Sequence, residues 1–312
     1  ILTSDYKTFG QAHSHSGSAG VFARINYDYK GIYLFELSGR YDGSSKFPSH
    51  TQWAFFPSGS VGYRISEEAY FAEAKNYVNN LKVRASYGVI GNQEIGANMF
   101  LETMSKYTTS VNWLGDGNVK YDYFGQPKMV DPTLTWETIA TTNLGVDLGF
   151  LGNSIQFTAD YFYKRTDGML IEMPVPTYLG ESKPWGNVGS MSNSGVELDL
   201  NYRYSIGDFN FSVGANASYI KTLLINAGNE SGILDRGSVH QMGTIIRGEN
   251  NMPFPYFYGY QTDGVFQNWD EVYAYTNAEG GLIQPDAQPG DFRYKDLDGN
   301  GSITAEGDRA NL

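Results

Sequence analysis

Residues 296–308 read D-L-D-G-N-G-S-I-T-A-E-G-D, a spacing of oxygen-bearing side chains that suits a hard cation. Asp296, Asp298 and Asn300 alternate along the chain, and Gly301 follows where a sharp turn is needed. That order matches the first half of an EF-hand-type calcium loop, in which Ca²⁺ gathers about six to eight oxygens. Ser302 would supply its backbone carbonyl, and Thr304 would ligate directly or through water. The pattern then departs: the twelfth position is Gly307, and the closing carboxylate falls one residue later at Asp308, with Glu306 as the other candidate. Bound Ca²⁺ would be structural here, cross-linking a long loop. The competing reading is a solvated Asp/Asn/Gly turn that binds nothing.

The aromatic residues point to a second chemistry. Tyr107, Trp113, Tyr121, Tyr123 and Phe124 fall within 91–136, and Trp185 and Tyr258 lie in later connections. Such rings can stack on sugars, or can pack a long loop onto itself; the sequence leaves both open. His13 and His15 are spaced for a surface metal but offer only two nitrogens, and His50 and His240 have no evident partners. Glu67 and Glu68 are adjacent in a turn and so point in different directions, while Glu197 and Asp199 share a polar strand face with Arg203. No nucleophile elbow, phosphate-cradling glycine loop or zinc signature is present. No catalysis is expected.

The elements that position these groups are strands. Residues 143–150 set Leu144, Val146, Leu148 and Phe150 against Asn143, Gly145, Asp147 and Gly149. After the short connection 151–153, residues 155–164 set Ile155, Phe157, Ala159, Tyr161 and Tyr163 against Gln156, Thr158, Asp160 and Lys164. A period of two is a strand with one apolar and one polar face. The same alternation predicts strands at about 21–29, 32–41, 53–65, 81–90, 191–204 and 209–220, eight in all.

Connections add independent information. Lys30-Gly31, 151–153 and 205–208 are tight and rich in Gly, Asn or Asp, as hairpins require. Segments 42–52, 91–136, 165–190 and everything after 220 are long, and 66–80 is of medium length on the short side. Outer-membrane barrels alternate short periplasmic turns with long extracellular loops, whereas a β-sandwich has no reason to sort loop length by side. The strands also approach a tilted membrane span in length. Tyr29, Tyr33, Tyr41, Tyr63, Tyr163, Tyr202 and Tyr219 stand near strand ends, where an aromatic girdle would lie; a soluble aromatic core is the alternative.

Composition narrows the classes. The chain has no cysteine, which excludes a disulfide framework and a thiolate metal site. A formal net charge of −12 argues against nucleic acid, which needs a basic face. No apolar run approaches the ~20 residues of a spanning helix, so any membrane span must be β. The chain starts at Ile1 and closes on DRANL with no strand, so a fragment of a longer protein is expected.

Eight segments then carry a family pattern: RYDGSSKF (40–47), FFPSGSVGYRISEE (55–68), LKVRASYGVIGNQEIG (81–96), DPTLTWETIATTNLGVDLGF (131–150), DYFYKRTDGML (160–170), NVGSMSNSGVELDLNY (187–202), FYGYQTDGVFQN (257–268) and GDFRYKDLDGNGSITAEGDR (290–309). In this order and over nearly the whole chain they resemble SusC-like TonB-dependent transporters of Bacteroidetes outer membranes. The resemblance implies an all-β, antiparallel transmembrane barrel of ~22 strands, in the size class of plugged transporters. This chain would be an internal piece of one such barrel domain: about eight strands, 221–312 as a long extracellular loop region, and no plug. It further implies a Gram-negative outer membrane, surrounding outer-membrane lipid, import of oligosaccharides or peptides energised through TonB, and a SusD-like surface lipoprotein as partner. A small eight-stranded barrel, or a secreted calcium-stabilised carbohydrate-binding domain, are the alternatives.

Overall fold

A computed structural model of the chain describes residues 14–109, 121–173, 175, 178, 180, 183–239, 243–305 and 307–312. The chain divides into two compact units, one ending at Lys221 and the other Thr222–Leu312.

The first unit is a meander of long strands: β1 (Ser18–Tyr29), β2 (Tyr33–Ser44), β3 (Trp53–Arg64), β4 (Val78–Asn92), β7 (Glu137–Phe150), β8 (Ile155–Glu172), β9 (Trp185–Ile206) and β10 (Phe209–Asn226), in that spatial order. Between β4 and β7, β5 (Met104–Thr109) and β6 (Tyr121–Pro127) pair with each other as a separate hairpin. All eight strands expected from alternation form, and several run further than expected: the 155–164 strand extends to Glu172, and 191–204 grows to Trp185–Ile206. The sheet is open, since β1 and β10 are not paired with each other.

Register carries alternation from strand to strand. Val21, Tyr41 and Phe55 form one continuous row, and Val83, Val146, Ala159 and Leu198 another. A one-residue slip anywhere would send one strand's apolar set to the wrong face. The tight turns hold that register. Lys30 and Gly31 both take positive φ (57° and 66°), and Ile32 N–H closes the turn on the Tyr29 carbonyl at 3.0 Å, the primed geometry that matches strand twist. Leu151, Gly152 and Asn153 are likewise all left-handed.

Among the described residues, no other part of the unit covers the apolar rows. Val21 is 74% exposed and Leu37 65%, and Ile25, Phe55, Leu144 and Val213 are exposed as well. Scattered apolar residues on a surface are ordinary, but a contiguous band across a whole sheet marks an interface. With tyrosines at its ends, the band fits hydrocarbon flanked by headgroups. No helix among the described residues is long and apolar enough to cross a membrane.

The second unit is more finely divided. Beyond β10 come β11 (Ile233–Val239), β12 (Gly243–Glu249), β13 (Met252–Pro253), β14 (Tyr256–Tyr260), β15 (Thr262–Val265), α1 (Trp269–Ala274), β16 (Phe292–Tyr294) and β17 (Arg309–Asn311). Strands β11-β12-β14-β17 form one sheet, β15 pairs with β16, and β13 pairs with the last turn of β10 through Leu223–Pro253 and Leu224–Met252. Helix α1 starts because Asn268 accepts the Glu271 N–H at 2.9 Å, a side-chain N-cap. Phe266, Val272 and Ala287 form a small core beneath it, with Tyr275 packed against them. Sequence reading expected one long loop region here. These strands of two to seven residues are too short to leave an alternation signal.

Candidate functional site

The polar face of the first unit carries its charged side chains in rows. Row by row it pairs cations on β4 with carboxylates on β7 and β8. Arg84 donates to Asp160 at 2.6 Å and lies 3.4 Å from Asp147, while Lys82 reaches Asp147 at 4.0 Å. Arg84 (β4), Gly145 (β7) and Asp160 (β8) share one row, so the ion pair passes over the strand between them. Gly145 makes that possible: a Cβ there would sit 2.6 Å from both Arg84 Cζ and Asp160 Oδ1. Arg24–Glu36 (3.6 Å) and Arg40–Asp42 (3.1 Å) pair elsewhere on the same face. A concavity of about 500 Å³ lies in the wall beside Glu36, Lys82, Arg84 and Asn143. Glu197 and Asp199 continue the acidic side on β9, in register with Asp160 and Thr158. Both signs being present, the wall favours no simple ligand charge.

At the long-connection end the face changes character. Phe47, Phe56, Ile95, Leu134, Trp136 and Leu170 form a buried cluster, so the connections are tied down there. Trp136 meets Phe47 at 5.2 Å and Phe56 edge-on at 5.5 Å between centroids, and donates to the Gln52 carbonyl at 3.0 Å. Polar bridges complete the rim. Asn187 accepts from Thr135 N–H at 2.7 Å and donates to the carbonyls of Thr135 and Gly168 at 2.8 and 2.9 Å. Glu137 accepts from Asn92 (3.1 Å) and from Leu170 N–H (3.0 Å). Sequence reading did not find this cluster. Its one signal was Phe56, an aromatic out of phase with the outward apolar residues of β3.

The acidic loop of the second unit brings Asp296, Asp298 and Asp308 together, with carboxylate oxygens within 4.8 Å of one another. Asp308 is the third member of this cluster; Glu306 lies outside the described residues. Asp296 accepts from Gly299 and Gly301 N–H at 2.7 and 2.8 Å, and Asp298 from Asn300 N–H at 3.0 Å. Ser302 donates to Asn300 Oδ1. Asp308 is fully buried and accepts from Leu297 N–H at 2.7 Å and Thr304 N–H at 2.6 Å. Burial pushes its carboxyl upward, but the amide donors of Thr304 and Leu297 outweigh it and hold the group below its ordinary range. A side chain at Gly307 would collide with Asp298 Oδ2, which accounts for glycine at the twelfth position.

The aromatic candidates are dispersed. Tyr107 is paired with Tyr123, and Thr109 with Tyr121, in the backbone register of the β5–β6 hairpin; Trp113 lies outside the described residues. Trp185 begins β9 and packs against the rim cluster. Tyr258 is nearly buried, with the guanidinium carbons of Arg247 and Arg309 at 3.6 and 4.5 Å from its ring centre, so it offers no open stacking face. His15 and His50 are exposed, and His13 and His240 lie outside the described residues.

An open antiparallel wall with an apolar exterior and charged interior rows is the architecture of a membrane barrel segment. Residues 2–305 match the family model described as TonB dependent receptor-like, beta-barrel. The chain belongs to that family. It is 32% identical to TonB-dependent receptor P3 of Formosa agariphila, over 91% of this chain and 28% of that receptor. It is 28% identical to TonB-dependent receptor SusC of Bacteroides thetaiotaomicron, over 90% of this chain and 27% of SusC. The chain therefore spans a little over a quarter of the length of these relatives. Its fold is shared with the RagAB peptide importer in the open-open state, at a TM-score of 0.74 and 22% identity, covering all of this chain and 32% of that one. It is a SusC-like fragment of an outer-membrane β-barrel of the Gram-negative type. The apolar band is its lipid face and the charged rows are its lumen wall.

Proposed function

We propose that the receptor containing this chain imports oligosaccharide or peptide nutrients across the outer membrane, energised through TonB and working beneath a SusD-like lipoprotein. The observation that carries this reading is the lumen wall itself. Paired charges of both signs line a face broad enough for an extended, polar, uncharged or zwitterionic chain. Kinship with SusC, and a fold shared with a protein named as a peptide importer, support the class of solute. The test is deletion of the whole gene followed by uptake of labelled oligosaccharides and oligopeptides, with and without an intact TonB. Uptake of both classes unchanged by the deletion overturns the proposal.

The acidic loop is proposed to hold a structural Ca²⁺ on the extracellular side, with residues 222–312 as part of the external loop region. Three carboxylates converge with oxygens within 4.8 Å of one another, a donor set that suits a hard cation. Ca²⁺ is expected to slow hydrogen exchange at Leu297, Gly301 and Thr304 in the full-length receptor. Equal exchange in calcium and in chelator refutes the site.

A further inference from the structure

We infer that the connection 65–77 is a membrane-surface anchor seated in the headgroup region of the periplasmic leaflet. It follows β3 at the short-turn end, yet it is longer than a hairpin needs and folds as three 3₁₀ turns, Ile65–Glu67, Ala69–Phe71 and Ala74–Asn76. The direction in which it folds is decided by two residues. Glu68 accepts the Tyr33 hydroxyl at 2.7 Å and the Tyr63 hydroxyl at 3.2 Å, and the Tyr63 and Tyr70 hydroxyls share a hydrogen bond of 2.7 Å. Tyr33 and Tyr63 are opposite each other in register and stack at 5.1 Å with ring planes 7° apart, and Tyr29 adjoins Tyr33 at 6.3 Å. All three belong to the lipid-facing row. The connection is therefore drawn outward, against the band that meets lipid, instead of inward beneath the lumen.

What this leaves uncovered is Tyr70, 70% exposed, and Tyr77, 81% exposed. Tyrosine has an apolar body and a polar tip, and its preferred setting is the boundary between hydrocarbon and water. Tyr70 continues the Tyr29–Tyr33–Tyr63 row beyond the strand ends through its bond to Tyr63, so the lipid interface of the wall runs onto it, and Tyr77 ends the same connection just before β4. The charges choose the lipid. Residues 65–77 carry Glu67, Glu68 and Glu73 against Lys75 alone, and Lys75 is paired with Glu67 at 3.2 Å. The remaining carboxylates suit the ammonium of a zwitterionic headgroup and would be repelled by an anionic one.

The experiment uses the full-length receptor, with any cysteine outside this chain replaced by serine, in vesicles of phosphatidylethanolamine with a minority of phosphatidylglycerol. A nitroxide is attached at Tyr77→Cys, at Tyr70→Cys, and at Asp208→Cys at the tip of the β9–β10 turn. Collision with oxygen and with a water-soluble nickel chelate reports depth. Both tyrosine sites should show severalfold lower nickel collision and higher oxygen collision than Asp208→Cys. Tyr77 makes no side-chain hydrogen bond among the described residues, so its variant keeps the test open if Tyr70→Cys assembles poorly. Adding Glu68→Ala should raise nickel collision at residue 77 by releasing the segment from the tyrosine row. Nickel collision at residue 77 equal to that at residue 208, with or without Glu68, overturns the proposal.

Discussion

Trp136→Ala should open the external rim while leaving the barrel wall beneath it intact. The indole is 6% exposed, touches Phe47 and Phe56, and donates to the Gln52 carbonyl. Truncating such a residue costs about 3–5 kcal/mol. That range already contains the ring contacts, at ~0.5–1.5 kcal/mol each, and the hydrogen bond, at ~1 kcal/mol. Because ~1.4 kcal/mol is a factor of ten, the locally opened population should rise by about two to three and a half powers of ten. Hydrogen exchange on the full-length receptor reads this directly. The amides of Phe47, Thr51, Leu134 and Thr135, whose acceptors lie in the segments that the cluster clamps, should accelerate by that factor. Those of Val61, Val83 and Val146 in the ladder should not change. Gly91→Ala approaches the cluster from β4, where a Cβ would collide with the Phe56 ring and lie 2.8 Å from Trp136 Cε3. It should reproduce the same pattern. Acceleration of less than about tenfold at the rim, or equal acceleration in the ladder, would refute the view that the cluster is a locally independent core.

Gly145→Ala should separate Arg84 from Asp160 and cost about 1.5–3 kcal/mol, the worth of a hydrogen bond to a charged group; a lowered midpoint of thermal unfolding in detergent, absent for Gly17→Ala, where an added Cβ meets nothing, is the measurement. Asp308 gives a pH dependence whose sign is fixed. Its carboxyl is depressed in the fold, so the stabilisation is complete above the unfolded value of ~3.9 and is lost as pH falls through the lower folded value. Exchange protection at Leu297 and Thr304 should hold from neutral pH to about 4 and fall below it, and Asp308→Asn should remove that acid step. Gly307→Ala should displace Asp298 and weaken terbium binding at the 296–308 loop, read by titration calorimetry, whereas Ser302→Ala, whose backbone carbonyl is the expected ligand, should leave it nearly unchanged.

The wall was legible because alternation, turn chemistry and strand length all vote on the same feature. Leu144, Val146 and Leu148 on one arm, Phe157, Ala159 and Tyr161 on the other, and three left-handed residues between them leave one register for the hairpin. What a single strand cannot show is why its small residues are small. Gly145 reads as a break in the polar face until Arg84 and Asp160 are found on either side of it, and that requires the register of three strands at once. The rim cluster was hidden for a related reason. Phe47 and Leu134 come from two different connections and Leu170 from the far end of β8, and nothing within any one of these segments announces the others. The second unit gave no periodic signal because its strands are too short for one. Phe56 was the exception in plain view. An aromatic on the polar side of a membrane strand, near its long-loop end, has no lipid to meet, so it must be covered from within by the connections. Out-of-phase aromatics near long loops are thus positions where a barrel sequence records the packing of its loops.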